Sequence, residues 1–232
     1  MHNTQHILRH EKIKSISGVI ITLSIIHWID TSLIITPLLF LFWFFLFRPL
    51  TTTESTIFLT ASLFFLGQNY AVLKTGGFSF KNKDILLMPY YEPFLWGFYY
   101  LTLKRFIREP SGTHTLQGKA IFGLALTGFC FSFFSDNSGI LFISTLLLTG
   151  ILFVMFHEKY DFYYAFCALI LGFIIEVFGV STGLWKYPDP DFIGIPYWFA
   201  TMWLSVGLLG RRFLIPLAEL IRRKLPSKVP FS

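Results

Sequence analysis

Charge is what this chain has least of. Of its 232 residues only 14% are Asp, Glu, Lys or Arg, while 54% are hydrophobic and 19% aromatic. A water-soluble domain carries about 25% charged residues. Too few are present here to coat a water-facing surface, which excludes a soluble globular protein. Cysteine is nearly missing as well. Cys130 and Cys167 lie inside apolar runs, without the spacing of a metal site or a redox pair. No HExxH, no glycine-rich phosphate loop and no Gly-x-Ser-x-Gly elbow occurs. Neither a metal nor a cofactor is therefore expected. The formal charge is +6, but no nucleic-acid motif accompanies it, and basic loops on the cytoplasmic side of a membrane account for it. Nucleic acid is not an expected partner. No internal repeat and no low-complexity stretch stands out.

What the chain has instead is apolar runs with polar punctuation. They predict an all-α fold: a polytopic transmembrane helix bundle of about eight spans, forming one integral membrane domain over residues 1–232. Residues 15–47 are too many for one comfortable crossing. Within them "WIDTS" offers Asp30, Thr31 or Ser32 as a helix N-cap, which predicts two spans turning there; one long kinked helix, and so seven spans, is the alternative. Further spans are expected over 55–73, 85–103, 119–134, 139–156, 162–184 and 195–209. Residues 1–14 read as a basic cytoplasmic tail. Residues 213–232 read as an amphipathic tail, with Leu217, Leu220 and Ile221 toward lipid and Arg222, Arg223 and Lys224 among headgroups. This layout puts 15 of the 19 Lys and Arg residues on the inner side and leaves Lys74, Lys81, Lys83 and Lys186 outside. Both termini are then cytoplasmic. Small size and short loops suggest a multi-pass protein of a bacterial inner membrane. Membrane lipid is the expected surrounding; the oligomeric state is not legible.

Two carboxyl groups fall at membrane depth, Glu92 and Glu176. A charge at mid-bilayer costs roughly 2.5 kcal/mol or more, so such residues face a cavity or a partner and mark function. The plainer alternative is a neutral acid that bonds between helices and fixes packing. Glu92 lies in "MPYYEPFLWGFYY", where Pro89 and Pro93 are expected to break the helix, a feature tolerated in lipid when it lines a cavity. Tyr90, Tyr91, Trp96, Tyr99 and Tyr100 surround it, although Tyr90 and Tyr91 also suit an interfacial aromatic belt. Glu176 shares a helix face with Gly179 and Gly183, a small-xxx-small step suited to close helix approach. Trp185, Tyr187 and Trp198 are placed to close the mouth of a pocket. Gln68 and Asn69 are adjacent amides suited to a ligand headgroup or to interhelical bonding.

"EVFGVSTGLWKYP", residues 176–188, and "GIPYWFATMW", residues 194–203, resemble the carotenoid-biosynthesis membrane proteins, namely the carotenoid hydratases and the small integral-membrane lycopene cyclases. A membrane glutamate precedes Thr182, Gly183 and Tyr187; Gly194, Pro196 and Trp198 open the next helix. The likeness spans about residues 170–205. It implies an enzyme acting on an isoprenoid, carotenoid-like or other long apolar lipid, with Glu176 as acid or base and Glu92 as second carboxyl. Proton addition to a polyene, then water capture or ring closure, makes the activity a lyase (hydratase) or an isomerase (cyclase). Aromatic faces would hold the carbocation. Two alternatives stand beside it: a proton- or cation-coupled transporter, against which the lack of an inverted repeat argues, and a non-catalytic membrane assembly protein. One shared aromatic pocket favours the enzyme. A polar path through both faces favours transport, and carboxyls buried in separate helix contacts favour the scaffold.

Overall fold

The computed structural model describes residues 2–109 and 116–224, with side chains from His10 onward. Residues 225–232 of the expected amphipathic tail lie outside the described residues. Each apolar run forms a helix: α1 (His2–Trp28), α2 (Ser32–Leu46), α3 (Thr52–Lys74), α4 (Glu92–Ile107), α5 (Gly118–Phe134), α6 (Ser138–Met155), α7 (Lys159–Ser181) and α8 (Trp198–Leu209). A π-helical turn, Gly210–Leu214, carries α8 into α9 (Ile215–Lys224). Two short strands, β1 (Ser79–Phe80) and β2 (Trp185–Lys186), pair antiparallel. The assembly is a helical membrane bundle. α3, α6 and α7 are long and apolar enough to cross a membrane by themselves, and α2 and α5 are apolar but shorter.

Three expectations need correction. Residues 2–14 are not a separate tail but the first turns of α1. α9 does not lie free on the surface: Ile215, Pro216 and Ala218 are buried, and the helix packs on α3. Residues 85–91 are apolar but not helical, since α4 starts only at Glu92. Pro89 therefore precedes the helix, and Pro93 sits in its first turn, where the missing N–H leaves nothing unpaired. The split near Asp30 does occur, with Thr31 as the extended N-cap of α2.

The chain is also an internal duplication, which corrects the reading that no repeat is present. The order α1–α2–α3–β1–α4 recurs as α5–α6–α7–β2–α8. Landmarks recur at a constant spacing of 107 positions, as from Asp84 to Asp191. Capping boxes start α3 (Thr51 with Glu54) and α7 (Glu158 with Asp161). Thr75 and Thr182 end these helices. Gly76 and Gly183 follow at φ 81° and 70°, where a side chain would be strained. Arg105 bonds Glu54 as Arg212 bonds Asp161. Ser79 of β1 faces its own counterpart, Lys186 of β2. Equivalent residues meet there across an approximate two-fold axis. Each half has four helices, so both run the same way and the axis stands along the bundle.

The halves join through a stack of rings. Phe65 lies on Trp96 (centroids 4.0 Å apart, planes at 13°), and Trp96 lies on Trp203 (5.2 Å, 21°). Trp203 then presses on α7 at Gly172, where an added Cβ would come within 2.2 Å of the indole. Trp96 and Trp203 are counterparts, and so are Phe65 and Gly172. One half supplies a ring where the other supplies room.

Ion clasps close the opposite end. Arg105 bonds Glu54 (2.8 Å) and the carbonyls of Phe47 (2.7 Å) and Pro49 (3.1 Å). Arg211 and Arg212 share Asp161 (2.6 Å each). Arg211 also bonds Glu109 (2.5 Å) and Glu158 (2.8 Å). Hydrogen bonds from both arginines hold the Glu158 carboxyl down at about 2. The Arg211–Glu109 pair joins the second half to the first.

Candidate functional site

The helix ends nearest β1 and β2 enclose a cavity of about 170 Å³, reached by α3, α4, α5, α7 and α8. One water needs roughly 10–15 Å³ on this measure, so the space suits a ligand rather than one trapped water.

Glu176 is built into it by the chain that follows. Gly183 reverses the backbone, β2 pairs with β1, and Trp185 folds back over α7. Trp185 Nε1 and the Tyr187 hydroxyl then both donate to Glu176 Oε2, each at 2.8 Å. This explains Gly179 differently from the sequence reading. Its missing side chain admits the Trp185 ring, which an added Cβ would meet at 2.0 Å, and not a neighbouring helix. Gly183 meets nothing within 4 Å and is set by its backbone angle. Gly179→Leu is therefore expected to expel the indole, break its bond to Glu176 and cost about 1–3 kcal/mol as overpacking does. Thermal unfolding together with tryptophan emission would show both effects, and unchanged emission would remove this account of Gly179.

Glu92 enters from the first turn of α4, where Asn69 Nδ2 of α3 donates to its Oε1 at 2.9 Å. The two carboxyls lie within electrostatic reach of each other. Both residues are buried, and no Lys, Arg or His is among the lining residues. The side chains of Trp96, Trp203 and Tyr99 also line the cavity, with their indole nitrogens and hydroxyl packed against protein. The two indole nitrogens approach the Glu92 and Glu176 carboxyls without meeting hydrogen-bond geometry. Toward the clasps the lining changes. Tyr100 donates to the Val206 carbonyl (2.5 Å) above Gly210, whose missing Cβ admits the phenol. Beyond it the walls are Phe64, Leu124, Leu209, Phe213 and Leu214. The cavity thus has a polar end and an apolar end.

Gln68, Asn69, Glu92, Trp96, Glu176, Trp185, Tyr187 and Trp198 all border this space, with Gln68 at an exposed lip of α3. Tyr90 and Tyr91 do not: Tyr90 is exposed, and Tyr91 is buried outside the lining. Their position ahead of the α4 helix turns them away. Trp203 was not singled out from the sequence, while Tyr99 belongs to the aromatic set expected around Glu92. The signal for Trp203 was its spacing from Trp96, which matches the repeat. Among the described residues no three His, Cys, Asp or Glu side chains are grouped to hold a metal ion.

Fold and site together define a duplicated helical membrane bundle with a carboxyl-lined aromatic cavity between its halves. Solved structures share the fold. The mycobacterial Insig homologue MvINS from Mycobacterium vanbaalenii superposes with a TM-score of 0.61 at 16% identity, over 77% of this chain and 99% of that one. A cross-linked trimer of MvINS gives 0.61 at 17% identity over the same shares. Identity this low makes the likeness one of fold. No protein-family model matches the chain, and no curated protein does.

Proposed function

We propose that this chain is a non-catalytic membrane protein that holds a neutral amphipathic lipid between its two halves. The observation that carries this reading is the mixture of groups at the polar end. Glu92 and Glu176 offer acceptor oxygens, while the Gln68 and Asn69 amides beside them offer donors. An amide carries two N–H donors, and Asn69 gives one of them to Glu92. A hydroxyl head satisfies both sets, since it donates to a carboxyl and accepts from an amide N–H. A pure hydrocarbon satisfies neither. The ligand's chain then runs along Leu124, Leu209 and Phe213. The change to apolar walls argues against a polar transport path.

The acid–base reading on an isoprenoid lipid, which the carotenoid-enzyme resemblance suggests, keeps one observation in its favour: both carboxyls meet in one aromatic cavity. Against it, Glu176 Oε2 already accepts two hydrogen bonds, the arrangement of an acceptor held in place. As to setting, the reading takes residues 1–232 as one domain in a bacterial inner membrane, with the arginine-rich end and both termini cytoplasmic.

Mass spectrometry of lipid extracted from purified protein tests the choice. The expected result is one hydroxylated neutral lipid at near-stoichiometric amount, identical to a lipid of cells lacking the protein. A lipid chemically altered only in cells that make the protein would favour the enzyme. Detergent alone in the preparation would overturn the binding reading.

A further inference from the structure

The duplication produces a second matched pair outside the cavity. Residues 84–89 and 191–196 form the same closed turn, each ending in proline and leading into α4 or α8. In the first, Ile85 N donates to Met88 O (3.0 Å) and Met88 N to Ile85 O (2.9 Å); in the second, Phe192 N donates to Ile195 O (3.0 Å) and Ile195 N to Phe192 O (2.8 Å). Each is braced by an aspartate. Asp84 accepts from Ser32 at the start of α2, and Asp191 accepts from Ser138 at the start of α6 (2.9 Å). The tips carry left-handed backbone at Leu86 (φ 47°), Leu87 (φ 65°) and Ile193 (φ 45°). Such angles cost a non-glycine residue on the order of 1 kcal/mol or more, and persist where the surroundings require them.

Those tips point outward. Ile85, Leu86, Leu87, Phe192 and Ile193 are all exposed, an apolar surface that water would not favour at a loop. Helix length gives the reason. From Arg105 to Glu92, and from Arg212 to Trp198, the chain rises only about 20 Å at roughly 1.5 Å per residue. The hydrocarbon layer is about 30 Å thick. If the arginine clasps mark one boundary, α4 and α8 stop about 10 Å short of the other. α3 and α7, at about 34 Å each by the same rise, span it fully. The chain must therefore descend again into the bilayer before α4 and α8 begin. In lipid an unpaired backbone polar group is costly, and the cross-turn bonds of Ile85 with Met88 and of Phe192 with Ile195 pair the backbone at the base of each turn. Exposed Leu33 and Ile34 of α2, and Ile140 and Ile143 of α6, continue the same apolar surface.

We propose that the twin turns are embedded in the leaflet at the loop end, with their tips among acyl chains. They are the re-entrant ends of α4 and α8, and the first of them sets Glu92, in the opening turn of α4, below the membrane surface. The inference rests on the membrane fold and not on what the cavity holds. Single cysteines at Leu86→Cys and Ile193→Cys, with Cys130 and Cys167 replaced by alanine, would carry nitroxide labels in phosphatidylcholine–phosphatidylglycerol liposomes. Expected is several-fold more collision with oxygen than with a water-soluble nickel chelate at both sites, and the reverse at Lys83→Cys. Nickel accessibility equal to that at Lys83→Cys would overturn the proposal. So would labels shielded from both reagents, which would assign the turns to a protein contact. If the alanine background does not fold, charged maleimide on the single variants in the native chain gives the same decision. No labelling above the native chain's supports embedding, provided detergent restores it, and prompt labelling in intact liposomes rejects it.

Discussion

Asp161→Ala is expected to lower stability by about 3–5 kcal/mol, the scale for breaking a buried ion pair by removing one member. Asp161 has no exposed surface, and it receives Arg211 Nη1, Arg212 Nε and Arg212 Nη2 at 2.6 Å each. It also accepts from the backbone N–H of Glu158 in the α7 capping box. Removing it leaves Arg211 to Glu109 and Glu158, leaves Arg212 to the exposed Glu158, and uncaps one helix end. The outcome should differ sharply from Glu158→Gln. The Glu158 side chain is 59% exposed, and pairs of that kind contribute about 0–1 kcal/mol. Unfolding of both variants in detergent micelles provides the comparison. If Asp161→Ala costs no more than Glu158→Gln, the clasp does not hold the start of α7 to Arg211 and Arg212.

The clasp also shows what the sequence hides. Its two arginines and three carboxyls come from positions 109, 158, 161, 211 and 212, and nothing in their local patterns links them. The helices themselves were legible, because lipid-facing runs must be apolar and polar turns must end them. Residues 85–91 misled for the same reason. They are as apolar as a helix but are folded as a turn, so composition reported an apolar setting and not a conformation. The duplication escaped because the halves keep few side chains in common. They share capping boxes, the Thr-Gly helix ends, the Asp-to-Pro turns, the tryptophan pair and the arginine. The cavity lining differs at nearly every matched position: Asn69 stands opposite Glu176, Glu92 opposite Phe199, Phe80 opposite Tyr187. Architecture is repeated, while the polar site is assembled from what each half does not share. Sequence reasoning could find Glu92 and Glu176 singly, because each is costly in lipid. That both border one cavity depends on the axis, which no single segment carries.

Glu176 is where function and packing separate most clearly. Glu176→Leu removes the acceptor of two buried donors, Trp185 Nε1 and the Tyr187 hydroxyl. At about 1–3 kcal/mol per stranded donor, a loss of roughly 2–6 kcal/mol is expected. The Trp185–Lys186 strand should loosen from β1 with it, because Trp185 pairs with Phe80 there. Glu176→Gln keeps one carbonyl oxygen of the same reach, so the loop should stay in place and stability should change by less than about 1 kcal/mol. The amide cannot give a proton to carbon. An acid–base enzyme would therefore lose roughly 10²–10⁴-fold in turnover in the Gln variant, with its ligand still bound. A binding protein would keep its lipid, with a loss of tenfold or less for one altered neutral contact. Thermal unfolding of both variants, read beside the lipid extracted from each, separates the cases. A Gln variant that is as unstable as the Leu variant would show that neither reading describes what the carboxyl does.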